Sequence, residues 1–429
     1  MSELSINTSW LPGYASGSGP VPATEAEIGI VCSGRVLTHI DDSWSKSVRD
    51  VARISAYPMA LWLAASWWRL RWEARPKREN LDLSWRMSHE LPAAGHGYTW
   101  PAISFESDGE SIGIRSRPSD GPHEPVRYLT AFDSWIDTAS FEREVDAFVE
   151  LVLARLDATK VREEQLCSLW RELRQERTDP QASNVRRLEA RLGFDPDEAP
   201  EELLDRVDKL ASRAGEVAAG EISIACAGPN AQHGIQEVED FAGSAGIDAH
   251  IRPNAVAAPD PAATPGQRGF ELARNARRAW GLGTGPVSNE TLGELLGIGV
   301  GAFRDPASGG RVALAIRHGR PDHAKLLFRK RNEPGLRFEG ARFLAAHITA
   351  SDSDRWLAAT DAFTARQKEQ RGFAAELLCP IESLDDRLKG DYSESAMEDA
   401  ADAFNVSERV VASHLANREK IPREWANFD

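Results

Sequence analysis

The stretch 337–380 constrains the fold more than any other part of the chain. It holds two helical segments, 337–347 and 366–380. Ahead of them, 312–316 and 324–328 read as adjacent strands joined by a polar turn containing Gly319-Arg320-Pro321. Helices are expected over 267–282 and 289–296. Apolar runs of strand length broken by Gly and Pro favour a paired sheet, so the last third of the chain is expected to set a small β-sheet among helices.

The first segment reads Arg337-Phe338-Glu339-Gly340-Ala341-Arg342-Phe343-Leu344-Ala345-Ala346-His347, and the second ends Phe373-Ala374-Ala375-Glu376-Leu377-Leu378-Cys379-Pro380. In these motifs, their spacing, and the helix, strand-pair, helix order before them, residues 267–429 resemble the ImmA/IrrE family of bacterial zinc metallopeptidases. That family's helices read RFxxAHExxH and ExxANxFAAxLLxP. The resemblance implies a zincin-like domain. In the family the two His of HExxH bind zinc, the intervening Glu activates a water, and the Glu opening the second motif completes the protein ligands. Residues at i and i+4 share a helical face, so two imidazoles can meet one ion while a carboxylate takes the water proton.

Matched on Arg337-Phe338, Ala341 and Phe373-Ala374-Ala375, the first His falls on Arg342, the catalytic Glu on Phe343, the second His on Ala346 and the ligand Glu on Gln367. A guanidinium stays protonated, Phe and Ala offer no lone pair, and Gln supplies a neutral carbonyl. The resemblance therefore implies the family scaffold with its metal site erased, with no catalytic residue, no cofactor and no stoichiometric zinc. His347 lies one residue past the expected position, about 100° around the helix. The alternative is a working metallopeptidase that cleaves a regulatory protein and holds zinc through displaced ligands, His347 with Glu369 or Glu376.

Basic residues cluster near these positions: Arg317, Arg320, Lys325, Arg329, Lys330, Arg331, Arg337 and Arg342. They read either as a solvated hairpin with structural arginines or as an anion-binding cleft for nucleic acid or an acidic partner. The cleft would use Arg317, Arg329, Lys330, Arg331 and Arg342, a fixed positive charge replacing a metal.

At 429 residues the chain is long enough for two or three domains, and 41% hydrophobic with 27% charged residues is an ordinary globular composition. A net charge of −15 disfavours broad adhesion to nucleic acid or anionic membrane. Cys32, Cys167, Cys226 and Cys379 form no CxxC pair, which fits a reducing cytoplasm. The N-terminus shows no basic, apolar leader. The most apolar run, 56–68, stops at Arg69, short of the roughly 20 residues a membrane span needs, and reads as a buried helix.

The expected architecture is α+β and mostly helical. Residues 1–137 read as a Trp-rich α+β domain, with an extended lead-in over 1–20, strands at 26–32, 35–40, 103–105 and 111–114, and a long helix over 47–72. Nine of the 13 tryptophans lie here, at 10, 44, 62, 67, 68, 72, 85, 100 and 135, as a stacking or peptide-binding platform or as core. Residues 138–225 read as a helical region, with Phe141, Val145, Phe148, Val149 and Val152 in helical period. The Gly-, Ala- and Pro-rich 226–266 reads as a linker to a domain over 267–429.

That domain closes with two helices around Asn405-Val406-Ser407, Ser407 being a suitable cap for the second. Their helix-turn-helix spacing raises a DNA-binding regulator as a further alternative. Nine acidic against four basic side chains over 391–429 favour packing against the core. The resemblance implies a sensor, regulator or assembly subunit working through a protein partner, in stress response or in defence against phage and mobile elements.

Overall fold

In the computed structural model, which describes residues 3–12, 19–76, 81–121, 123–251, 255–304, 309–422 and 425, the chain folds as α+β. About half of it is helical and its sheets are small and antiparallel. It divides into two units, Met1–Pro200 and Glu201–Asp429.

The first unit runs β1 (Leu4–Trp10), α1 (Pro20–Ala23), β2 (Glu25–Cys32), β3 (Arg35–Val36), β4 (Ile40–Asp42), β5 (Ser47–Arg49), β6 (Ala52–Ser55), α2 (Ala56–Trp72) and α3 (Leu83–His89). It continues with β7 (Ala102–Ser107), β8 (Ser111–Arg117), β9 (Val126–Tyr128), β10 (Phe132–Asp137), α4 (Thr138–Ala158), α5 (Gln165–Thr178) and α6 (Pro180–Arg191). β2 pairs with β1, β3 and β6, β8 lies between β7 and β10, and β4 between β5 and β9.

Three local expectations change. The lead-in is a strand over Leu4–Trp10, held residue for residue against β2, while 13–18 lie outside the described residues. The hairpin partner over 35–40 shrinks to the two residues of β3. The helix expected from 47 begins at Ala56, because Ser55 caps it by accepting a bond from Tyr57 N and the residues before it enter two sheets.

The tryptophans are mainly core. Trp62, Trp67, Trp68, Trp85 and Trp100 are buried, Trp10, Trp72 and Trp135 half-buried, and Trp44 is 85% exposed. Trp67 and Trp68 meet edge to face at 4.8 Å, and the Arg71 guanidinium covers Trp72 at 3.9 Å. Glu73 binds both Arg69 (2.6 Å) and the buried His89 (2.9 Å).

The second unit runs α7 (Glu201–Ala214), α8 (Glu216–Cys226), α9 (Ala231–Gly243), β11 (Ile247–His250), α10 (Pro265–Ala279), α11 (Asn289–Leu296), β12 (Ala313–His318) and β13 (Arg320–Leu327). α12 (Glu333–Thr349), β14 (Trp356–Ala359), α13 (Ala365–Leu378), α14 (Ile381–Leu388), α15 (Glu394–Phe404) and α16 (Glu408–Asn417) complete it. One antiparallel sheet orders its strands β11-β13-β12-β14.

The unit boundary at 200/201 divides the expected helical region 138–225. The expected linker 226–266 instead contributes α9 and the sheet's edge strand β11. Its small residues serve close packing: a Cβ on Gly234 would lie 3.2 Å from the Cys226 side chain.

α10 and α13 touch backbone to backbone. A Cβ on Gly269 would sit 2.1 Å from the Glu369 carbonyl oxygen, and one on Gly372 would sit 2.7 Å from that of Gly266. Phe303, Phe328, Phe343, Phe373 and Leu377 fill the core, which Met397, Phe404, Val411 and Leu415 of α15 and α16 extend. The closing helices are therefore packed on this core, with Ser407 capping α16 as expected. Among the described residues no helix is long and apolar enough to cross a membrane.

Candidate functional site

α12 is capped by Asn332, whose side chain accepts from Gly335 N, and α13 by Thr364, whose hydroxyl accepts from Gln367 N. Packing of α12 against α13 brings Arg342 against Gln367. Arg342, 2% exposed, donates through Nη2 to the Thr360 carbonyl (2.7 Å), to the Gln367 amide oxygen and, at 3.4 Å, to that of Gln370. The Gln367 oxygen also accepts from Thr360 N (2.8 Å), and its Nε2 donates to the Ala358 carbonyl (3.1 Å). One guanidinium and two amides thus hold the end of β14.

Burial, reinforced by nearby Arg371, lowers the Arg342 guanidinium to about 9. Phe343 is buried against Phe328 with ring centroids 5.5 Å apart, and Ala346, three residues on, is also buried. Of the four positions matched to the family's metal chemistry, Arg342 and Gln367 are brought together, and Phe343 and Ala346 belong to the apolar core.

The two candidate carboxylates of the displaced-ligand alternative are paired with other groups. His347 is half-buried, and burial, then the Arg317 charge, lowers its imidazole to about 4. Glu369 pairs with Arg268 at 3.1 Å. Glu376 pairs with Arg274 (2.8 Å) and His414 (3.0 Å) and accepts from Ile381 N. Both carboxylates therefore face partners on α10, α14 and α16.

Most cations of the expected basic cleft are engaged as internal cross-links. Arg317 closes the end of α12 by donating to the carbonyls of Ser351 (2.8 Å), Asp354 (3.2 Å) and His347 (3.4 Å). Arg329 joins Glu339 (3.2 Å) and Asp361 (2.8 Å). Lys325 binds the carbonyls of Ala242 (2.8 Å) and Ser244 (2.9 Å). Arg337, buried, links α12 to Asn289, Val287 and Asn405. Arg320, Lys330 and Arg331 are exposed.

A group not expected from the sequence lies where the edge strand β11 pairs with β13. Among the described residues, His250, Asp322 and His323 are the one set of three metal-capable side chains whose ligand atoms come within 4.8 Å of one another. The available signal was a pair of histidines flanking the Gly319 turn. Only His323 of that pair belongs to the group, and His250 comes from the stretch read as linker.

No known family model, curated protein or solved structure matches the chain.

Proposed function

We propose that this is a noncatalytic ImmA/IrrE-like protein that acts through a protein partner, as a sensor, regulator or assembly subunit in stress response or defence against phage and mobile elements. What supports the reading is the Arg342–Gln367 contact. The two positions that the resemblance matches to the first zinc His and the ligand Glu are neighbours in space, as a shared metal would require, yet a guanidinium and an amide fill them. A guanidinium cation hydrogen-bonded to carbonyl oxygens repels a metal ion and supplies no base for water.

The test uses the full chain with Arg342→Ala and Gln367→Ala. Both should lose thermal stability while metal content and the absence of zinc-supported peptide hydrolysis stay unchanged. Hydrolysis by the native chain that either substitution abolishes, or zinc that either substitution releases, would overturn the reading. Affinity capture on the native chain, followed by binding to purified candidates, then identifies the partner.

A further inference from the structure

We propose that His250, Asp322 and His323 form a binding site for a divalent transition-metal ion, with His318 placed to join it. The β12–β13 hairpin is irregular at its tip. Arg317 faces Ala324 and His318 faces Arg320, so Pro321, Asp322 and His323 all fall between two successive pairs of the ladder. In a regular strand Asp322 and His323 would point to opposite faces, and an insertion of this kind re-aims its side chains. Both now converge on His250, which ends the edge strand β11 directly opposite His323.

The His250 Nε2 lies 2.6 Å from an Asp322 carboxylate oxygen, and the His250 and His323 rings are 4.3 Å apart. Bonds of about 2.0–2.2 Å to one ion put its donors roughly 3–4 Å from each other. The three donors here already lie within 4.8 Å, so small ring rotations close the remaining gap. The His318 ring is 6.3 Å from that of His323, and its Nε2 is 3.9 Å from the exposed Asp248 carboxylate, a second negative charge at the rim.

Two imidazoles and a carboxylate suit zinc, cobalt, nickel or copper rather than calcium or magnesium, which prefer all-oxygen shells. The ion takes the place of the His250–Asp322 hydrogen bond. It clips the sheet's exposed edge, where strands are most easily opened or extended, onto its neighbour. None of the helix positions Arg342, Phe343, Ala346 or Gln367 contributes, so this site stands apart from the one matched to the peptidase family.

The test strips the full-length protein with EDTA and titrates it with Co2+ and with Zn2+. The native chain should develop visible cobalt absorption and gain melting temperature with zinc. His250→Ala and His323→Ala should each weaken binding at least about tenfold and abolish the zinc-dependent gain. Arg342→Ala and Gln367→Ala should bind as the native chain does, which separates this proposal from the preceding one. Circular dichroism of the metal-free variants checks folding, and Asp322→Asn replaces any alanine variant that fails to fold. No cobalt signal in the native chain, or native affinity in the folded variants, would overturn the proposal.

Discussion

Arg342 donates to the amide oxygen of Gln367, and the two side chains together hold residues 358–360 at the end of β14. The cation's close partners are neutral oxygens, while the carboxylates of Glu339 and Asp361 act on it from farther away. A buried charge bound in this way contributes chiefly by filling space and satisfying carbonyls, because its desolvation offsets much of its attraction. Arg342→Ala opens a cavity and strips the Thr360 carbonyl of its donor, and should cost about 3 kcal/mol. Arg342→Met keeps most of the volume without the charge and should cost about 1 kcal/mol or less. Urea denaturation compares them, and equal losses would show that the hydrogen bonds dominate.

Arg329 separates structural from exposed cations. Glu339 is 1% exposed and accepts from the backbone N of both Arg329 and Lys330 as well as from the Arg329 guanidinium. Arg329→Ala leaves that carboxylate buried without its counter-charge and should destabilise by about 3 kcal/mol. Lys330→Ala and Arg331→Ala, at exposed positions, should each stay within about 0.5 kcal/mol. Loss of nucleic-acid affinity in all three variants at unchanged melting temperature would restore the basic-cleft expectation.

What the sequence discloses follows from where the determining contacts lie. α11 is legible residue for residue because both ends carry local signals: Ser288 caps its start and Gly297 adopts a left-handed conformation at its end. The β12–β13 hairpin is legible because a polar segment around Gly319 separates two short apolar runs. β11 is not, since four residues gain strand character only by pairing with a hairpin far along the chain. Charge identity is legible in Arg317 and Arg329, but their partners are backbone carbonyls and a buried Glu that pattern alone does not connect to them. The adjacency of Arg342 and Gln367 is expected only through the family match, and it is the packing of α12 on α13 that makes it a buried cross-link.

The α10–α13 contact gives a steric prediction with its own control. A Cβ at Gly269 meets the Glu369 carbonyl at 2.1 Å, and backbone within a helix cannot give way as a flexible side-chain end can. Gly269→Ala should therefore force the helices apart and cost about 2–3 kcal/mol. Gly266 in the first turn of α10 has open space where its Cβ would go, so Gly266→Ala should be neutral or slightly stabilising through the unfolded chain. Thermal melts of the two variants test this, and similar melting temperatures would mean that the helices are not in backbone contact.

Glu376 links α13 to α10 through Arg274 and to α16 through His414. Burial alone would raise its carboxyl, but the hydrogen bonds and charges of His414 and Arg274 together outweigh it and hold the group below its ordinary value of 4.5. A carboxyl depressed in the folded state adds stability that is complete above its unfolded value and fades as pH falls through the lower, folded one. Glu376→Gln keeps the shape and part of the hydrogen bonding but no charge, and should cost about 1–3 kcal/mol at neutral pH. Because the native chain loses its advantage on protonation, the gap in melting temperature should hold from about pH 7 down to about pH 5 and then narrow on further acidification. A gap that stays constant into that acid range would mean that Glu376 acts through packing, with its charge irrelevant to the hold of α16.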